Sequence, residues 1–452
     1  MISPPRDLSD ETAEMGDSRP MPGHVDDATG YLVVAHPPGE RHLPLFHGRA
    51  RLGRAPATES GQYELQDRRI SKAHAELRRV AGRFELQDLG SRNGLYVDGA
   101  MISPGATTEL FDGSVIRIGD TVLVFRPGAP VEAQWAHPGL PGGAPAVVRA
   151  RRRLTSLLSD TCHFLVLGET GTGKEFVARW IAGAPETSEG AVILNCAHLQ
   201  RGTARAELFG VERGAFTDAR EARSGLLAEA DGRTLFLDEL GELEPQVQAE
   251  LLRFLEDGRY RPVGGTRERQ VRTRVVGATN ADLDGLAAQG TFRGDLLARF
   301  RASTAEVRLP PLRDRREDLV TWARRFHEQP NPQWTAGFVE CLLLYPWPTN
   351  LRGLAGAIRT LRREHPGEET LRSLHLPDPI QSHRASLRAA TSSASASPPT
   401  RTSSPSAEEI AAALSAHKGN VKAAAQSLGV ERRRFYRLCE SMKLHPEHFR
   451  ER

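Results

Sequence analysis

Lysine is scarce in this chain: it stands only at positions 72, 174, 418, 422 and 443, and arginine supplies the rest of the 60 basic residues. Lys174 stands out against that background. Cysteine is sparse too. Cys162, Cys196, Cys341 and Cys439 are scattered, with no C-x-x-C pair and no clustered histidines, which argues against a zinc site or a disulfide framework and predicts a reduced, cytoplasmic setting. No apolar run approaches the ~18 residues that a membrane helix needs. The N-terminus carries Asp7, Asp10 and Glu11 with several prolines and no apolar core of signal type, so a protein neither secreted nor membrane-spanning is expected. Charge of one sign is also lacking. With 60 basic against 57 acidic residues and a net charge of +3, any nucleic-acid surface must be local.

What is present is length and variety. At 452 residues the chain exceeds what one core supports, and two to four domains are expected. Residues 1–28 are polar and proline-rich and read as a disordered lead-in. From 29 to 127, short apolar runs such as YLVV, FELQDL, SVIRIG and TVLVF alternate with Gly, Asp and Asn turns, the pattern of an all-β sandwich. Residues 128–146 hold PGAP and HPGLPGG and read as a linker. From 147 to 384 the strands HFLVLG, AVILNC, TLFLDE and RVVGATN alternate with helical stretches, which predicts an α/β domain with a parallel sheet and a small helical lid. Residues 385–406 are rich in Ser, Ala and Pro and predict a flexible tether. From 407 to 452 helical periodicity returns through Ile410, Leu414, Val421, Ala424, Leu428 and Leu438, an all-α unit.

The strongest chemical signal is FLVLGETGTGKE. A buried strand runs directly into Gly168, Glu169, Thr170, Gly171, Thr172, Gly173 and Lys174, so that backbone N–H groups and a helix N-terminus face phosphates while Lys174 reaches the outer ones. ATP is the implied ligand. Glu175 replaces the usual Ser or Thr, so Mg²⁺ must rely on a carboxylate elsewhere. RTLFLDEL supplies one: an apolar strand ends in Asp238 and Glu239, placed to hold the metal and to polarise the attacking water.

The ordered set GETGTGKE, LFGVERGAFTDA, GRTLFLDEL, VVGATN, FRGDLLARF, LPPLRDRREDL and YPWPTNLR resembles the central AAA+ domain of sigma-54-dependent activators, the bacterial enhancer-binding proteins. The resemblance implies that Asn195 couples Glu239 to a surface loop and that Asn280 senses the γ-phosphate. It makes Arg293 and Arg299 arginine fingers that reach a neighbouring subunit, and Arg352 the sensor of the lid. A ring follows, by resemblance a hexamer. Phe216 and Thr217 in GAFTDA would touch sigma-54 in the polymerase holoenzyme; Asp218 stands where the family has glycine, adding charge and removing backbone freedom.

The flanks carry resemblances of their own. Leu52-Gly-Arg54, ISKAHAEL, DLGSRNGLYVDG and LFDGSVIRIG resemble a forkhead-associated (FHA) domain, which reads phosphothreonine. Arg54, Ser71, Lys72, Ser91, Arg92 and Asn93 would line the phosphopeptide site, with His74 and Gly90 as scaffold and a phosphothreonine protein, such as a Ser/Thr kinase, as partner. The tail resembles a Fis-type helix-turn-helix, and Arg432, Arg433, Arg434, Tyr436 and Arg437 would meet enhancer DNA. The expected function is ATP-driven remodelling of the closed sigma-54 polymerase complex. Two alternatives stand beside it: an AAA+ regulator with another client, and a non-enzymatic FHA adaptor.

Overall fold

Short strands set between turns build the first layer pair. The computed structural model describes residues 28–37, 42–58, 61–131, 134–135, 137, 139–157, 163–181, 183, 190–199, 202–215, 221–302, 306–328, 333–394, 407–417, 420–428, 430, 435–436, 438–439, 442 and 444. Eleven strands open the described chain: β1 (Gly30–His36), β2 (His42–Pro44), β3 (Arg49–Gly53), β4 (Gln62–Glu64), β5 (Ala75–Val80), β6 (Arg83–Asp88), β7 (Leu95–Val97), β8 (Ala100–Ile102), β9 (Thr107–Leu110), β10 (Val115–Ile118) and β11 (Thr121–Pro127). They form a six-stranded sheet ordered β2-β1-β11-β10-β7-β8 and a five-stranded sheet ordered β4-β3-β5-β6-β9. Leu32, Leu52, Leu77, Leu86, Ile116 and Leu123 fill the space between them. Because side chains alternate along a strand, Tyr31, Val33, Val115, Val122 and Val124 point to the other face of the six-stranded sheet, and there too they are buried.

The central domain begins with α1 (Pro145–Leu157), β12 (Phe164–Leu167), α2 (Lys174–Ile181), β13 (Ala191–Asn195) and β14 (Thr234–Asp238) and adds the strands Arg274–Thr279 and Glu306–Arg308. All five strands pair in parallel. In sheet order they run β13, β14, Arg274–Thr279, β12, Glu306–Arg308, so β12 lies beside strands that come late in the chain, and ligands bind at such crossovers beyond the strand C-termini. Leu165 and Leu167 pack on one face of the sheet and Phe164 and Val166 on the other, as expected for a sheet covered on both sides. The lid is made by the helices Arg316–His327, Ala336–Leu344 and Asn350–Glu364. Its core residues Leu319, Phe338, Leu342 and Ile358 share one cluster with Tyr31, Val33, Val122 and Val124 of the sandwich, which is what buries that outer sheet face.

Two segments differ from the sequence-based expectation. The predicted linker 128–146 supplies Leu140 and Ala144 to the α/β core. Its polar backbone is satisfied by side chains that proline and glycine content does not disclose: Arg151 donates to the carbonyls of Leu140 and Gly142, each at 3.1 Å, and Asp318 accepts from the N–H groups of Gly143 and Ala144 at 2.8 and 3.1 Å. The predicted tether 385–406 begins inside the helix Asp378–Ala394. That helix starts on Asp378-Pro379, a helix-opening pair, and carries on into the Ser- and Ala-rich stretch. The remaining unit contains the helices Ala407–Ala416 and Val421–Ser427, packed around Ile410, Leu414, Ala424 and Phe435.

Candidate functional site

Residues 168–173 connect β12 to α2 in a tight loop in which Gly171 and Gly173 have φ of +78° and +105°, a region that favours glycine. Thr172 is buried, and its hydroxyl donates to the Glu169 carbonyl at 2.8 Å. The Lys174 ammonium curls back onto the loop and donates to the carbonyls of Gly168 and Glu169 at 2.8 and 3.4 Å. Burial lowers its pKa, Arg352 adds to that, and Glu239 and Asp238 oppose it. A buried cation that among the described residues donates to carbonyl oxygens alone, beside two carboxylates and at a helix N-terminus, fits a phosphate group accompanied by a metal ion. Glu175 is turned away: its carboxylate is exposed and pairs with Arg179 one turn along α2 at 2.8 Å, so its side chain steadies the helix.

Asp238 ends β14, directly opposite Asn195 in the parallel register. Glu239 follows in a left-handed conformation, φ +50°, and its N–H donates to Asp238 Oδ1 at 3.0 Å. Burial first, and then Asp238 and Glu239, push the thiol of neighbouring Cys196 up to about 12, so it stays protonated beside the carboxylates. The Asn195 side chain accepts from the Ala197 N–H at 3.0 Å. Asn280 bridges two of the motifs: its Nδ2 donates to Thr170 Oγ1 at 2.7 Å. Arg293 is exposed and bonded to Asp295 at 2.7 Å, whereas Arg299 is half-buried with its guanidinium on the Leu255 carbonyl at 2.8 Å.

The sandwich gathers its own polar loops. Arg54, Lys72, Arg92 and Asn93 are exposed and Ser71 half-buried. Ser71 Oγ accepts from the Arg92 N–H at 3.1 Å, and Asn93 Nδ2 donates to the Arg69 carbonyl at 2.6 Å, which ties the loop before β5 to the loop before β7. His74 is fully buried beneath them, accepting from the Ser71 N–H at 3.1 Å and lying 3.2 Å from the Gly94 carbonyl. Ser91, expected to face phosphate, is instead buried and donates to Asp88 at 2.7 Å, bracing the loop from below.

Three family models match the chain in order. The FHA domain covers residues 50–119, the Sigma-54 interaction domain 140–306, and the bacterial regulatory protein, Fis family, 406–437. The central domain is a sigma-54 interaction domain. It is preceded by an FHA domain and followed by a Fis-type segment. Over 235 residues the chain is 38% identical to the transcriptional regulatory protein ZraR of Klebsiella oxytoca, a match covering 50% of this chain and 53% of that protein. Over 243 residues it is 41% identical to the anaerobic nitric oxide reductase transcription regulator NorR of Enterobacter sp. strain 638, covering 52% and 48%. Among solved structures, NtrX from Brucella abortus in complex with ATP is 29% identical over 67% of this chain and 69% of that one, with a TM-score of 0.47. The chain spans about half the length of the curated relatives it matches.

The sigma-54 interaction domain also contains site residues that motif reading missed. Asn350 is fully buried with φ +51°; it accepts from the Leu312 N–H at 2.7 Å and donates to the Thr170 carbonyl at 3.0 Å and to Glu169 at 3.2 Å. Arg313 donates to Glu169 at 2.8 Å, and buried Arg315 donates to the Thr172 carbonyl at 3.0 Å. These contacts lash the lid to the phosphate loop. Arg352 is exposed, with its Cβ 3.1 Å from where a Cβ on Gly171 would sit. Phe216, Thr217 and Asp218 lie outside the described residues, as do Arg432, Arg433, Arg434 and Arg437 of the Fis-type segment. There Tyr436 is exposed and Phe435 buried. Among the described residues no helix is long and apolar enough to cross a membrane.

Proposed function

We propose that the chain is a transcription activator that hydrolyses ATP with Mg²⁺ in a ring of its own copies, binds enhancer DNA, and remodels the closed sigma-54 polymerase complex under control of a phosphothreonine protein. The observation that carries this reading is the convergence of Lys174, Asp238, Glu239 and Asn280 at the C-terminal edge of one parallel sheet. Lys174, the N–H groups of the 168–173 loop and Arg352 would hold the phosphates, and Asp238 the metal ion. Bound Mg²⁺ neutralises charge on the transferring phosphoryl group. Glu239 is suited to orient and deprotonate a water, Asn280 to report the outer phosphate to Thr170, and Ser71, Arg54, Lys72, Arg92 and Asn93 to gather phosphate oxygens with cations, a hydroxyl and amides. The sigma-54 client, the hexameric ring and a kinase as the source of the phosphothreonine rest on the family resemblance.

In the purified chain, Lys174→Ala is expected to lose nucleotide binding. Glu239→Gln is expected to keep binding and lose turnover by about 100-fold or more. Retained turnover in either variant contradicts the assignment. Transcription in vitro from a sigma-54 promoter then separates the main reading from an ATPase with another client, which would hydrolyse ATP and open no promoter complexes.

A further inference from the structure

Residues 312–318 run between the phosphate loop and the FHA domain and touch both. Toward the phosphate loop, Arg313 holds the Glu169 carboxylate at 2.8 Å and Arg315 holds the Thr172 carbonyl at 3.0 Å. Toward the FHA domain, the Asp314 carbonyl accepts from Arg126 of β11 at 3.0 Å, and Glu317 accepts from Arg126 Nε at 2.8 Å and from its Nη2. Arg316 donates to the Gly113 carbonyl at 2.7 Å and lies 3.5 Å from Asp98. The segment is pinned at both ends, by Asn350 on the Leu312 N–H and by Asp318 on the N–H groups of Gly143 and Ala144. The side chains of Arg126 and Glu317 are each only 5% exposed. Arg126 also pairs with Asp112 of its own domain at 2.8 Å, so removing Arg126 leaves the buried Glu317 carboxylate uncompensated, whereas removing Glu317 leaves Arg126 one partner.

We infer that Arg126, a residue of the FHA domain, is a positioning residue for the nucleotide pocket, setting through Asp314 and Glu317 the segment whose arginines grip the phosphate loop. The inference rests on the ATP-binding reading above. Arg313 and Arg315 can meet Glu169 and Thr172 only while the turn between them keeps its shape, and Arg126 bonds that turn at the Asp314 carbonyl and two residues beyond Arg315 at Glu317. Coupling of this kind is reciprocal: whatever docking contributes to nucleotide affinity, nucleotide contributes to docking. β7 extends the connection. The Ser91-Arg92-Asn93 loop enters it at Leu95, and Asp98, which approaches Arg316, follows its last residue. The loop that gathers phosphate and the segment that grips the nucleotide loop thus meet opposite ends of one short strand.

The test measures binding of a fluorescent ATP analogue to the full chain, with heat unfolding alongside, in wild type, Arg126→Gln, Glu317→Gln, the double variant and Arg117→Gln. Arg117 pairs with Glu340 at 3.1 Å in the same interdomain contact but on the helix Ala336–Leu344, outside the segment. Each single change in the Arg126–Glu317 pair is expected to weaken nucleotide binding by about tenfold, and the double variant no more than the worse single one. Arg117→Gln is expected to lower the unfolding temperature and keep wild-type affinity. Wild-type affinity in Arg126→Gln, or an equal loss in Arg117→Gln, overturns the inference. Should Arg126→Gln fail to fold, Glu317→Gln decides, since it removes the charge that holds Arg126 to the segment while Asp112 still pairs with Arg126; wild-type affinity there overturns the inference equally. A wild-type chain that takes no nucleotide overturns the ATP-binding reading itself, and this inference with it.

Discussion

His163, at the foot of β12, shows how a single side chain answers to its surroundings. Its Nδ1 accepts from the Val275 N–H at 3.1 Å, and burial, then Arg299 and Arg274, hold its pKa down at about 4. An unfolded histidine titrates near 6.5, so the folded chain binds fewer protons between those values. The stabilisation is therefore complete above pH ~6.5 and drains away as pH falls towards ~4, by at most about 3 kcal/mol. His36, His74, His137 and His327 are lowered by burial too, so each adds a loss of the same sign as pH falls. His163→Asn, which keeps an acceptor near Nδ1, should lose less stability than wild type between pH 7.5 and pH 5. Urea unfolding at the two pH values measures the difference, and equal losses would show that His163 does not titrate on unfolding. Nothing in TCHFLVL announces this histidine, because its partners come from residues more than 90 positions away. Lys174, Asp238 and Glu239 were legible for the opposite reason: each lies within a local motif whose strand and turn are written beside it.

At the scale of elements, the end of β3 is fitted against the loop that carries Ser71 and Lys72. The Arg54 and Ala55 N–H groups donate to the carbonyls of Ser71 and Lys72 at 3.0 and 3.1 Å. A Cβ on Gly53 would lie 2.0 Å from the Lys72 carbonyl oxygen, so Gly53→Ala must push the loop off the strand. Affinity for phosphothreonine peptides, read by fluorescence anisotropy with a degenerate labelled pool, should fall about tenfold or more, since several converging contacts are misplaced together. ATP binding by the same sample serves as the folding control. Unchanged peptide affinity would remove this loop from the site. Gly53 was visible in the sequence within Leu52-Gly-Arg54, but the close approach that requires it was not. The strands themselves were readable as short apolar runs set between Gly, Asp and Asn turns. The segment 128–146 was not, because its fit depends on Arg151 and Asp318, which composition does not disclose.

Over the whole molecule, the order of the three modules could be read because each signals within its own stretch. The docking of the FHA domain on the lid could not, since Arg126–Glu317 and Arg117–Glu340 join residues 191 and 223 positions apart. Assembly beyond one chain is the remaining scale. The charges acting on Lys174 are those of Glu239, Asp238 and Arg352, while Arg293 and Arg299 hold Asp295 and the Leu255 carbonyl of their own chain. If those two arginines serve a neighbour's nucleotide, turnover per chain must rise with protein concentration, and Arg299→Ala must bind ATP yet fail to hydrolyse it. Mixing Arg299→Ala with Glu239→Gln then provides the sharper measurement. Each variant alone lacks one half of every site, but in a mixed ring about a quarter of interfaces pair an intact Glu239 with an intact Arg299 from the next protomer. ATPase activity should therefore reappear on mixing two inactive proteins. If turnover is independent of concentration and the mixture stays inactive, hydrolysis is confined to single chains and Arg299 is left as a brace on Leu255.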